Sequence, residues 1–127
     1  MPHIQIEYSG NIEDGADIAG LCNALRKAAI EVESFPLPGI RVRAIRADHY
    51  SIADGNPGHG FIDISLRLRG GRSSDEKMAA TSRLFEAAKS HLAPYMADHS
   101  LALSFELRDI DPKLSPKTGT IRDHLKG

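Results

Sequence analysis

Tryptophan is absent from the chain, and cysteine occurs once, as Cys22. A lone cysteine excludes an intrachain disulfide and leaves a hydrophobic core as the source of stability. Charge of one sign is missing as well. Sixteen lysine and arginine residues stand against seventeen aspartate and glutamate, for a formal net charge of −1 at pH 7. No overall field draws such a chain to nucleic acid or to an anionic membrane, so any anion binding must come from local clusters. No stretch approaches the roughly 18 apolar residues that a membrane span needs, and no cationic segment leads into an apolar run at the start. The expected setting is cytoplasmic, without membrane or nucleic-acid partners. The 127 residues fit a single domain, 1–127, able to bury somewhat over ~60% of its unfolded surface.

What is present is alternation. Ile4, Ile6 and Tyr8 alternate with His3, Gln5 and Glu7, the period of a strand with one buried face. From Asp14 to about Glu33 the apolar positions Ile18, Leu21, Cys22, Leu25, Ala29 and Val32 recur at three and four, which predicts an amphipathic helix. "FPLPG" ends it, because proline and glycine cannot continue the helix. Ile40, Val42 and Ala44 then alternate with Arg41 and Arg43. Residues 1–46 thus read as a βαβ unit. The turn-rich "DHYSIADGNPGHG" covers a connecting loop, 47–59, with a short edge strand at its start.

The pattern repeats over 60–110. Ile62, Ile64, Leu66 and Leu68 alternate with polar neighbours, and "RGGR" turns the chain. Ser73 with Glu76 has capping-box spacing, so a helix starts at Ser73 or Ser74. Met78, Leu84, Phe85, Ala88, Leu92, Tyr95 and Met96 supply its stripe, and Leu101, Leu103, Phe105 and Leu107 the last strand. Residues 111–127 form a tail with a short helical stretch near its end. The prediction is an α+β fold: two βαβ units related by a pseudo-twofold, with a four-stranded mixed sheet and two helices on one face. His3, Gln5, Glu7, Arg41, Arg43, Asp63, Ser65, Ala102, Ser104 and Glu106 fall on the other face. That face is too polar for a core yet broad enough for subunits to close around, which predicts an oligomer.

Several chemistries find no footing. "DGNPGHG" lacks the Gly-Lys-Ser/Thr ending of a phosphate loop. Asp48, His49, Asp54 and His59 match no familiar metal-ligand spacing. Cys22, on a buried helical stripe, lacks the exposed electropositive setting of a reactive thiol. Two basic clusters remain, Arg41, Arg43 and Arg46, and Arg67, Arg69 and Arg72, at strand ends or turns. Their guanidinium forks match carboxylate oxygens two at a time. Pro2 reads in two ways. It is a strand starter whose missing N–H costs nothing, or, once Met1 is removed, a free secondary amine.

"MPH" before the first strand, "FPLPGIR" entering the second, "GGRSSDEK" entering the second helix and "LALSFELRDIDP" in the last strand occur in this order with compatible spacing. Together they resemble the 5-carboxymethyl-2-hydroxymuconate isomerase family of the tautomerase superfamily, from Pro2 to about the end of the chain. The resemblance implies a trimeric tautomerase-like domain, acting without cofactor or metal in homoprotocatechuate breakdown. It would convert a dienol tricarboxylate into its conjugated ketone, with the Pro2 nitrogen as base and Arg41 in "GIR" and Arg72 in "GGRS" binding the polycarboxylate. The equivalent of Pro2 in the second unit falls near Gly60, inside the chain, so one site per subunit is expected. Two other readings stay open. One is a tautomerase of phenylpyruvate-like enols, which needs an aromatic pocket. The other is a ferredoxin-like regulatory domain that binds a small ligand and has no catalytic use for Pro2.

Overall fold

The computed structural model describes residues 2–125. Its elements are β1 (His3–Ser9), α1 (Ile18–Ile30), β2 (Arg41–Ala47), β3 (His59–Arg69), α2 (Ser74–Met96) and β4 (Ser100–Ile110). The sheet order is β2-β1-β3-β4, with parallel outer pairs and an antiparallel join between β1 and β3. Parallel neighbours need a crossover, and α1 and α2 supply one each. Exchanging the two halves maps this order onto itself. From His3 at the head of β1 to His59 at the head of β3 is a step of 56 residues, as it is from Asp17, which caps α1, to Ser73, which caps α2.

Alternation decides what is buried. Ile4, Ile6 and Tyr8 of β1 and Ile62, Ile64, Leu66 and Leu68 of β3 lie beneath Leu21, Leu25, Ala28 and Ala29 of α1 and Ala80, Leu84, Ala88 and Leu92 of α2. Cys22 packs half-buried against this core, and burial pushes its thiol pKa up, away from reactivity. Met78 and Met96, expected on the α2 stripe, are instead exposed at 68% and 39%. The buried line runs at steps of four from Ala80 to Leu92, and Met78, two residues before it, points roughly the opposite way.

The helix starts divide by chemistry. At α2 the Ser73 Oγ accepts from the Glu76 N–H and the Glu76 Oε1 accepts from the Ser73 N–H, both at 3.1 Å. At α1 the expected start at Asp14 gives way to Ile18. Asp17 takes a left-handed conformation, φ 52°, and its Oδ1 accepts from the Gly20 N–H at 3.1 Å, so the preceding residues form turns. The edge strand expected after β2 is not found among the described residues. There Asp54 and Asn56 accept from the N–H groups of Asn56 and Gly58, at 3.0 and 2.8 Å, and turn the chain.

Gly60 is held to glycine by a close approach: a Cβ there would lie 2.4 Å from the Ile12 Cγ2 and 3.2 Å from the Ser9 Oγ. Gly60→Ala is therefore expected to lower stability by about 1–3 kcal/mol through overpacking. A fall in the urea midpoint at constant slope would register it.

Candidate active site

Every expected site residue falls at the end of the sheet where β1 and β2 begin and β3 and β4 finish. Pro2 stands just ahead of β1, less than 2% exposed. Its carbonyl accepts from the Arg41 N–H at 3.2 Å, so the β1–β2 ladder gains a rung and Pro2 and Arg41 are brought side by side. The half-turn symmetry sets Gly58 opposite Pro2, two residues ahead of the expected Gly60. The Gly58 nitrogen is an amide that donates to the Asn56 Oδ1.

Register lines up the face away from the helices. Arg41, His3, Arg67 and Arg108 form its first row, next to Pro2; Arg43, Gln5, Ser65 and Glu106 the second; Ile45, Glu7, Asp63 and Ser104 the third. The face expected to be mixed is thus graded, cationic at the Pro2 end and acidic further along. Burial first, then Arg67, Arg41 and Arg43, hold the His3 pKa below its usual 6.5.

The exposed Arg41 also edges a cleft of about 240 Å³, shared with Pro36, Pro38 and Gly39 before β2 and with Lys117, Ile121 and Arg122 of the C-terminal segment. Arg72 does not line that cleft. Its Nη1 donates to the Arg69 carbonyl at 3.0 Å and its Nη2 to the Ser34 carbonyl at 2.9 Å, with the guanidinium carbon 5.6 Å from the centre of the Phe35 ring. Arg72 thereby ties the turn after β3 to the segment after α1, and one N–H on each Nη has no acceptor among the described residues.

The family model for 5-carboxymethyl-2-hydroxymuconate isomerase matches residues 2–125. The curated 5-carboxymethyl-2-hydroxymuconate Delta-isomerase of Escherichia coli is 36% identical over 126 residues, covering 99% of this chain and 100% of that one. The chain belongs to the 5-carboxymethyl-2-hydroxymuconate isomerase family. A crystal structure of a 5-carboxymethyl-2-hydroxymuconate delta-isomerase superposes with a TM-score of 0.89 at 32% identity, over all of this chain and 95% of that one. A fused 4-OT, solved as a symmetric trimer, gives a TM-score of 0.60 at 25% identity over 86% and 85%. The isomerase therefore has a tautomerase-superfamily fold.

Away from Pro2, Arg46, Asp48, Asp54 and His59 of the isomerase are already committed to partners within the chain. Arg46 bridges Glu13 and Asp48, at 3.0 Å each, at the far end of β2, and the Tyr8 hydroxyl donates to Glu13 at 2.5 Å. His59 lies between the Asp54 carboxylate, 2.8 Å from Nε2, and the Ser100 hydroxyl, 2.7 Å from Nδ1, pinning the loop to β4. The Asn56 N–H and then His59 hold the Asp54 carboxyl below its usual range. Among the described residues no three His, Cys, Asp or Glu side chains converge as metal ligands do. Sequence reasoning missed Lys117 and Arg122. The only signal was the cationic character of an aperiodic tail.

The lowered His3 pKa sets a sign. Folded protein resists protonating His3, so its contribution is complete above the unfolded value of 6.5 and declines as pH falls below it. Thermal melts between pH 7.5 and 5.5 should show a smaller acid-side loss in His3→Gln than in wild type.

Proposed function

We propose that the chain converts 5-carboxymethyl-2-hydroxymuconate into its conjugated 2-oxo isomer, a step in homoprotocatechuate breakdown, with the free Pro2 nitrogen as general base. Removal of Met1 turns that nitrogen from an amide into a secondary amine. Neutral Pro2 takes the proton of the 2-hydroxyl and returns one to the distal carbon, so charge moves along the conjugated acid and no net proton is consumed. A free α-amine titrates at about 7.7–8.0 and proline's somewhat higher, so the site must disfavour the ammonium. Packing around Pro2 and the cations of the first row act in that direction. Arg41, next to Pro2, stabilises the developing 2-oxo carboxylate, and Arg72 offers its remaining N–H groups to a second carboxylate. The scheme uses a base and cations alone.

A homotrimer closing on the graded sheet face suits this reading, since the solved fused 4-OT is itself a symmetric trimer. None of the described helices is long and apolar enough to cross a membrane, and we propose the cytoplasm as the setting of the reaction. The observation that carries the proposal is the full-length family match with Pro2 at the head of β1, bonded to Arg41. Ultraviolet loss of the dienol in purified protein tests it, with intact mass reporting on Met1. Turnover by material lacking Met1 is expected. Full activity in material that retains Met1 would remove Pro2 from the mechanism.

A further inference from the structure

The cleft beside Arg41 gathers three cations, Arg41, Lys117 and Arg122, and its lining contains no aspartate or glutamate. None of the three makes an ion pair or a side-chain hydrogen bond among the described residues. Arg46, Lys77, Arg83, Lys89 and Arg108 do form ion pairs, whereas other surface cations such as Arg26, Lys27 and Lys113 form none among the described residues. What sets the cleft apart is that three unpaired cations share one lining that holds no carboxylate. Three unpaired cations around one small cleft repel each other, and an anion bound among them would relieve that repulsion.

The cleft is also shaped on both sides. The Leu37–Gly39 turn forms one wall, closed by Gly39 N–H to the Pro36 carbonyl at 2.9 Å and Ile40 N–H to the Leu37 carbonyl at 3.2 Å, with Pro36 and Pro38 fixing its backbone. The Ile121–His124 turn of the tail forms the other, with Asp123 N–H on the Thr120 carbonyl at 3.1 Å. Arg41 joins this cleft to Pro2, because its own N–H bonds the Pro2 carbonyl.

We infer that Lys117 and Arg122 bind the carboxymethyl carboxylate of the substrate, and that the C-terminal segment thereby selects a tricarboxylate dienol over the same dienol without that arm. The inference rests on the function proposed above and adds to it. Muconate carries two carboxylates, which Arg41 and Arg72 serve. The carboxymethyl arm brings a third, and the tail brings two more cations to the cleft that Arg41 edges. A carboxylate held by Arg122 in a fork and by Lys117 as a point charge is anchored at a distance from the reacting atoms, so its binding energy appears as affinity and discrimination.

The experiment compares wild type with Lys117→Gln, Arg122→Gln and the double variant. All are substitutions at exposed tail positions away from the core. Kinetics with 5-carboxymethyl-2-hydroxymuconate and with 2-hydroxymuconate give the ratio of the two kcat/KM values. In the double variant that ratio is expected to fall about tenfold or more towards the smaller substrate, through KM for the tricarboxylate. Arg122→Lys should recover part of the loss. Calorimetric titration with tricarballylate and with glutarate, which needs no turnover, should show the same selective loss for the tricarboxylate. An unchanged ratio together with parallel losses for tricarballylate and glutarate overturns the inference. Wild-type protein that isomerises neither dienol overturns the function proposed above, and the titrations still decide the role of the tail.

Discussion

Pro2→Ala protein is expected to fold as wild type does and to turn over roughly a hundredfold more slowly. General bases contribute about 10²–10⁴ to rate. Alanine, exposed by the same removal of Met1, leaves a primary amine that still accepts a proton but at a different angle and basicity, so the loss belongs at the lower end of that range. The fold has little reason to change. What Pro2 gives the sheet is its carbonyl, which accepts from Arg41, and alanine keeps that group. Arg41 and Arg72, which we propose hold the carboxylates, also stay in place, so kcat should carry the loss and KM should move little. The pH profile separates catalysis from packing. A primary α-amine is less basic than proline's, so the acid limb of kcat against pH should shift to lower pH, which a merely structural role for Pro2 would not cause. A second form, extended at its N-terminus by an uncleaved residue, converts the Pro2 nitrogen to an amide and should be inactive with an unchanged melting temperature. Wild-type kcat in either protein, with mass spectrometry confirming the terminus, would exclude Pro2 as the base.

The sequence makes much of this arrangement legible because strand alternation is local. His3, Gln5 and Glu7 against Ile4, Ile6 and Tyr8 settle which face of β1 meets the helices, and the same holds for Asp63 and Ser65 in β3. The capping box at Ser73 and Glu76 is likewise local and appears where its spacing puts it. What escapes periodicity is a single backbone conformation or a distant partner. Asp17 at φ 52° moves the start of α1 to Ile18, and no apolar spacing reports a positive φ. The cationic row of Arg41, His3, Arg67 and Arg108 exists only once four strands are in register. His59 and Ser100, 41 residues apart, meet for the same reason. The tail is the extreme case. With neither alternation nor a helical stripe, its placement beside Pro36 and Arg41 depends on tertiary contact alone. Motif resemblance supplied Pro2, Arg41 and Arg72 as residues, whereas only geometry shows that Arg72 is bonded to two backbone carbonyls.

That difference between the two arginines predicts that Arg41→Ala and Arg72→Ala will fail in different ways. Arg41 is exposed, and its side chain has no bonded partner among the described residues, so its removal should leave the urea midpoint where it was. A charge-assisted hydrogen bond to substrate contributes about 1.5–3 kcal/mol. If Arg41 faces charge that grows in the transition state, kcat/KM should fall roughly 10- to 100-fold, with kcat sharing the loss. Arg72→Ala removes two donors to backbone carbonyls and the contact with Phe35, and should destabilise by about 1–2 kcal/mol. Its kinetic effect should lie in KM, because a group holding a remote carboxylate binds ground state and transition state alike. Arg72→Lys then divides charge from shape: lysine keeps the positive charge but cannot reach both the Ser34 and Arg69 carbonyls with one planar fork. Partial recovery of KM with the midpoint still lowered would give Arg72 two separable duties. A loss of stability with KM at the wild-type value in both variants would leave it only as the clamp on the Ser34 turn, and the second carboxylate would need another partner from the cationic row.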